Sequence, residues 1–223
     1  MGAATARLLA AQGAKLVLGA RGQERLTALA EEVGGIAVPT DVSRREDVQR
    51  LVDTAVNEHG RLDVLVSNAG IGPTAPFDAL RVDDWEALID INFRGVLYGI
   101  AAALPVFRRQ ERGHFVHTSS TAAHRIVPGM GVYAATKTAV NVVSECLRQE
   151  AGPNLRVTVV SPGMTATDFV EASKSDETDP QLIDAFNRIA MPPEAVARAI
   201  AYALEQPPEV DVGEIIIRPT AQA

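Results

Sequence analysis

Tyr133 and Lys137 stand four residues apart in Val132-Tyr133-Ala134-Ala135-Thr136-Lys137, and Ser120 precedes the tyrosine by thirteen. On a helix, residues i and i+4 share a face. An ammonium beside a phenol favours the phenolate, which predicts a Tyr133 pKa below the ordinary value of ~10. A phenol tuned toward neutral pH can act as a general acid or base. A serine hydroxyl close to it can hold a carbonyl or alcohol oxygen. Tyr-x-x-x-Lys also occurs by chance on exposed helices, so the elements around it must decide.

Short apolar runs alternate with longer amphipathic stretches. Strands are predicted at 15–20, 36–40, 62–67, 114–118, 156–160 and 214–217, and helices at 3–12, 22–33, 43–58, 80–110, 133–151 and 193–205. This alternation implies a single α/β domain over residues 1–223, with a doubly wound parallel sheet covered by helices on both faces. Residues 168–193 carry no clear strand and are rich in Asp, Ser, Thr and Pro. Such a connection is a substrate lid or a plain surface insertion.

Open α/β sheets bind ligands beyond the carboxyl ends of their strands. Four strand ends here carry small or polar residues: Asp41-Val42, Ser67-Asn68-Ala69-Gly70, Ser119-Ser120 and Pro162-Gly163. In this order and spacing the chain resembles the short-chain dehydrogenase/reductase family, from Gly2 to the last strand. Ser120, Tyr133 and Lys137 match that family's catalytic trio, and Asn92 the helix asparagine that completes a tetrad. Asn68-Ala69-Gly70 matches its Asn-Ala-Gly motif, with Ser67 replacing the commoner asparagine. Asp41 and Val42 match the pair that holds the adenine ring. Pro162, Gly163, Thr165 and Thr167 fall in the segment that contacts the nicotinamide carboxamide.

The resemblance implies a Rossmann-like fold and hydride transfer between a nicotinamide cofactor and a small-molecule carbonyl or alcohol. Tyr133 would carry the proton, Ser120 orient the substrate oxygen, and Lys137 serve both the tyrosine and the nicotinamide ribose. Asn92 would hold a water through its backbone. At the end of the second strand of that fold, an acidic residue would bind a ribose 2′-hydroxyl and repel a 2′-phosphate. Here Ala20 and Arg21 stand there. Arginine suits a phosphate through bidentate hydrogen bonds, which points to NADP rather than NAD. Arg25, one turn further, reads as a solvent-facing residue.

One departure is conspicuous. The family opens with a strand and a Thr-Gly-x-x-x-Gly-x-Gly turn, whereas this sequence opens Met1-Gly2-Ala3-Ala4-Thr5, so that Gly2 aligns with the last glycine. The first strand and the preceding glycines are missing. Five buried strand residues at about 2 kcal/mol each are worth on the order of 10 kcal/mol, and their loss leaves two unpaired edges inside the sheet. Either the sequence starts late, or the chain is a degenerate, non-catalytic relative with a binding or scaffold role.

Other features bound the reading. The 223 residues are 47% hydrophobic and 22% charged with net charge −7, values of a globular protein without a nucleic-acid or anionic-membrane face. No uninterrupted apolar run spans a bilayer and no signal-peptide pattern is present, so a cytoplasmic protein is expected. One cysteine, Cys146, excludes an internal disulfide and reads as a packed helical residue. No metal site is expected. The substrate pocket is expected from Ala122, His124, Met130, Met164, Phe169 and Val170, with Arg125 and His124 open to either substrate or structural roles. The chain end lacks the glycine-rich turn of several acyl-carrier-protein reductases and looks more like members acting on small hydroxy acids or clavaldehyde-like aldehydes. Leu88, Ile91, Val96, Ile100 and Leu104 give the long helix more apolar surface than one sheet face needs, which predicts a homodimer or homotetramer.

Overall fold

The computed structural model describes residues 1–169 and 188–222. Its elements run α1 (Gly2–Ala11), β1 (Val17–Ala20), α2 (Gln23–Val33), β2 (Ile36–Pro39), α3 (Arg45–His59) and β3 (Val64–Ser67). They continue with α4 (Val82–Leu88), α5 (Gly95–Gln110), β4 (Gly113–Thr118), α6 (Gly131–Ala151), β5 (Leu155–Pro162), α7 (Pro193–Glu205) and β6 (Glu214–Ile217). Gly34 (φ 65°) and Gly60 (φ 72°) end α2 and α3 in the left-handed conformation that glycine adopts without penalty. The architecture is the expected Rossmann-like one, with parallel strands joined by helices.

The strands fall into two parallel sheets, β1-β2 and β3-β4-β5-β6. Val17 pairs with Ile36, Val64 with His114, His114 with Arg156, and Val159 with Glu214. Among the described residues, β1 has no strand partner beside β2, and β3 none beside β4. These are the unpaired edges that the sequence implies. Burial reports the same division: all six residues of β4 are buried, whereas no residue of β1 or β3 is fully so.

Two apolar layers cover the four-stranded sheet. Phe115 and Val157 pack with Phe107, Val52 and Leu147 on one face. Val116 and Val160 pack with Val196 and Ile200 on the other, where Met1, Val64 and Val66 join them. Helix Val82–Gln110 is long and apolar enough by composition to match a membrane span. Much of that character is core, because Val96, Ala102, Ala103, Val106 and Phe107 are buried. Leu88 and Val96 therefore face their own domain rather than a second copy. Cys146 is exposed, contrary to its expected packing, because it lies off the α6 face carrying Val140, Ser144 and Leu147. Residues 170–187 of the expected lid, and pocket residue Val170, lie outside the described residues.

Candidate active site

Three elements converge on the tyrosine. β4 ends at Thr118 and delivers Ser119 and Ser120, whose extended backbone (φ −164°) opens a short 3-10 turn, Thr121–Ala123. The Ser120 hydroxyl caps this turn by accepting from the Ala122 N–H at 3.1 Å. Helix α6 starts at Gly131, so Tyr133 and Lys137 occupy its first two turns on one buried face. The Ser119 hydroxyl donates to the Lys137 carbonyl at 3.1 Å and fixes α6 against the β4 end.

Lys137 Nζ donates to the Thr118 carbonyl at 2.9 Å and stands 5.9 Å from the centroid of the Tyr133 ring. Burial pushes the Lys137 ammonium down to about 8. For Tyr133, burial pushes the phenol up, while a hydrogen bond with Ser120 pulls the other way. The direction corrects the expected lowering. The helix spacing does bring the cation close, yet both groups are desolvated, and desolvation of the phenolate dominates.

Asn92 sits in a π-helical turn, Ile89–Arg94, between α4 and α5. Its amide clamps the loop after β3: Oδ1 accepts from Ile71 N at 2.8 Å, and Nδ2 donates to Ile71 O at 2.9 Å. Nδ2 also donates to Thr136 Oγ1 at 3.3 Å, linking the clamp to α6. A Cβ on Gly70 would lie 3.2 Å from Asn92 Oδ1 and 3.5 Å from Lys137 Nζ, so the Asn68-Ala69-Gly70 loop passes directly beside the lysine. Ser120, Tyr133, Lys137 and Asn92 thus form one connected group. The π turn is the functional signal that sequence reading missed; such turns interrupt the regular ladder and often mark sites.

The remaining predicted residues line up away from this group. Gly2 touches Asn68, a Cβ on Gly2 lying 2.9 Å from Asn68 Nδ2. Val42 packs on Gly95, three residues beyond Asn92. The Asp41 carboxylate accepts from Ser43 N at 3.0 Å and Ser43 Oγ at 2.7 Å, which holds it below its ordinary range, with the nearby Arg21 charge adding to the effect. On the other side, Gly163 N donates to Ile217 O and Met164 N to Gln222 Oε1. Thr165 Oγ1 donates to Gly163 O at 2.9 Å, and Thr167 Oγ1 to Thr165 O at 3.4 Å. His124 and Glu214 are 2.7 Å apart, and Ser161 also donates to Glu214, which gives the histidine a structural role.

These positions fit a dinucleotide. Among the described residues, Asn68 Oδ1 is buried without a partner, and the Asn68 amide lies against Gly2. Helix α1 begins at Gly2 with no side-chain cap, so its first-turn N–H groups remain available to an anion. Arg21 stands at the β1 end beside Asp41. Among the described residues, no group of three His, Cys, Asp or Glu side chains is placed to hold a metal.

Comparison with known proteins agrees with this layout. Residues 1–178 match the family described as short chain dehydrogenase. The chain is 44% identical over 229 residues to an uncharacterized oxidoreductase of Staphylococcus saprophyticus, covering 100% of this chain and 93% of that one. Among solved structures, an alcohol dehydrogenase from Thermococcus sibiricus complexed with 5-hydroxy-NADP matches with a TM-score of 0.88 at 28% identity, over 100% of this chain and 93% of that chain. The closed form of a serine dehydrogenase complexed with NADP+ matches with a TM-score of 0.92 at 29% identity, over 100% and 92%. The fold and these matches define an oxidoreductase. The chain belongs to the short-chain dehydrogenase/reductase family.

Proposed function

We propose that the protein interconverts a small-molecule carbonyl and alcohol with NADP(H), using Tyr133 as general acid and base. The observation that carries this reading is the convergence of half-buried Ser120 with buried Tyr133, Lys137 and Asn92 in one connected group. NADPH supplies the hydride. The Ser120 hydroxyl holds the carbonyl oxygen, and the Tyr133 hydroxyl gives its proton to that oxygen as charge develops on it. In alcohol oxidation Tyr133 takes the proton back. Lys137 stabilises the phenolate left behind and is placed to hold the nicotinamide ribose. Asn68, Pro162, Gly163, Thr165 and Thr167 border the nicotinamide end; Asp41 and Val42 border the adenine.

NADP is favoured over NAD by Arg21 at the β1 end and by the lack of an acid there. The NADP+ and 5-hydroxy-NADP bound to the two structural relatives named above support the same choice. Half-buried Ile91 and exposed Val142 support a homodimer or homotetramer, while Ile100 and Leu104 pack against the protein's own core. The test is oxidation of NADPH, followed at 340 nm, with a panel of aldehydes and ketones. Turnover abolished by Tyr133→Phe supports the reading; the same turnover in that variant overturns it.

A further inference from the structure

Among the described residues, Phe169 is the aromatic ring in contact with the ring of Tyr133. The two centroids are 5.9 Å apart at an interplanar angle of 57°. Phe169 also packs against the small apolar cluster of Leu88, Ala122, Tyr133 and Ala134. Its ring rests on the backbone of Gly72, where any Cβ would overlap it. Tyr133 is left only 7% exposed. An aromatic side chain therefore fills the space next to the catalytic phenol, and its seat is a glycine with no room for a larger residue.

We propose that Phe169 is a specificity-determining residue: seated on Gly72, it forms the wall that limits the apolar group a substrate can carry beside its carbonyl carbon. The inference rests on the reading of Tyr133 as the group that meets the carbonyl oxygen. An oxygen held between Ser120 and Tyr133 places the carbonyl substituents toward the apolar cluster around the tyrosine, which includes Ala122, Met130 and the Phe169 ring. All three are apolar, so the substrate class is a carbonyl or alcohol with a compact apolar substituent. A larger substituent must displace the ring from Gly72.

Two experiments test this. In the first, surface tyrosines are nitrated with tetranitromethane and located by mass spectrometry, which needs no turnover. Tyr202, 55% exposed, serves as the reactive reference, and half-buried Tyr98 on α5 reports on folding. Removing the wall by Phe169→Ala, or unseating it by Gly72→Ala, is expected to raise Tyr133 nitration at least tenfold relative to Tyr202, with Tyr98 unchanged. Unchanged Tyr133 nitration in both variants overturns the placement of the wall. Phe169→Leu, which keeps the apolar packing, replaces the alanine variant if that fails to fold and should give an intermediate rate. In the second experiment, kcat/KM with NADPH is measured for propanal and 2-naphthaldehyde. Phe169→Ala is expected to shift the ratio at least tenfold toward the larger aldehyde, and an unchanged ratio overturns the specificity role. Wild-type protein that reduces neither aldehyde, yet shows the nitration result, removes the function reading and leaves the wall in place.

Discussion

The Arg25 guanidinium and the Asp168 carboxylate meet at 2.9 Å although 143 residues separate them. Arg25 lies at the start of α2, next to the Arg21 position, and Asp168 directly precedes the Phe169 wall. The pair thus joins the expected adenosine end of the site to the segment beside the tyrosine. Both side chains are more than four-fifths exposed, so the pair adds at most about 1 kcal/mol to stability. Its consequence is for charge: the carboxylate offsets the Arg25 cation on the side of the expected 2′-phosphate.

Asp168→Asn releases Arg25 and should lower the KM for NADPH severalfold while leaving that for NADH nearly unchanged. Stability to urea should change by less than about 1 kcal/mol. The measurement is the ratio of the two KM values. Equal changes for both nucleotides mean that Arg25 does not reach the phosphate even when freed.

Arg21→Ala acts in the opposite direction. A charge-assisted hydrogen bond is worth ~1.5–3 kcal/mol, so the variant should lose about ten- to a hundredfold in apparent NADPH affinity and little for NADH. Parallel losses for both cofactors would assign Arg21 to the turn after β1 rather than to phosphate recognition.

Tyr133→Phe keeps the ring and its contact with Phe169 while deleting the hydroxyl proposed to carry the proton. Carbonyl reduction should fall by far more than tenfold in kcat, which is a barrier increase above ~1.4 kcal/mol. NADPH binding should stay within a small factor of wild type. Stopped-flow measurement of a single turnover is the check; a tenth or more of the wild-type rate removes Tyr133 from proton transfer.

What the sequence made legible was local. The i, i+4 spacing put Tyr133 and Lys137 on one helix face, and turn residues at strand ends placed Asn68, Ser120 and Gly163. The six strands follow from apolar runs that one period describes. Non-local facts were illegible. The rise in the Tyr133 pKa depends on how deeply Phe169, Ala122 and Leu88 bury the phenol. The Arg25–Asp168 pair joins helix α2 to a segment far along the chain, so Arg25 reads in sequence as a solvated cation. The π turn at Asn92 leaves no compositional mark in Ile89-Asp90-Ile91-Asn92. Cys146 read as packed because its neighbours are apolar, yet the helix phase turns it outward.

Two buried histidines predict acid sensitivity. His114 bonds Thr158 Oγ1 and His117 bonds Ser144 Oγ, each at 2.8 Å, and the second ring nitrogen of each is buried without a partner. Burial pushes His114 down to about 3 and His117 down to about 4. Unfolded histidines titrate near ~6.5, so below that pH the unfolded chain binds protons that the folded chain refuses. Stability from these groups is present above about pH 6.5 and is lost as pH falls toward the two folded values. Between pH 7 and 5 the expected loss is about 2 kcal/mol per histidine, at 1.36 kcal/mol per pH unit. Urea midpoints at the two pH values, for wild type and His117→Gln, measure it. A pH-independent wild-type midpoint contradicts the buried neutral state.

The two unpaired edges give the last prediction. Among the described residues, β1 and β3 each pair on one side only, and the residues of β3 stay half-buried although β4 beside it is sealed. Met1 packs with Val64 and Val66 against the Val116–Val160 layer, and burial holds its amino group below the ordinary value. An apolar strand attached ahead of Met1 would therefore start from inside the fold, beside β3. Parallel pairing along a free edge would satisfy backbone groups that cost ~1–3 kcal/mol each when buried without a partner. A Thr-Gly-x-x-x turn between that strand and Gly2 would bring further N–H donors to the N-terminus of α1, where an anion is stabilised. Two forms should be compared by titration with NADPH, following nucleotide fluorescence: the 223-residue chain and the chain extended by a strand and this turn. The extended form is expected to bind at least tenfold tighter, a gain above ~1.4 kcal/mol, and to unfold at higher urea. Equal binding and equal midpoints would show that α1 and Asn68 hold the diphosphate without a neighbouring strand.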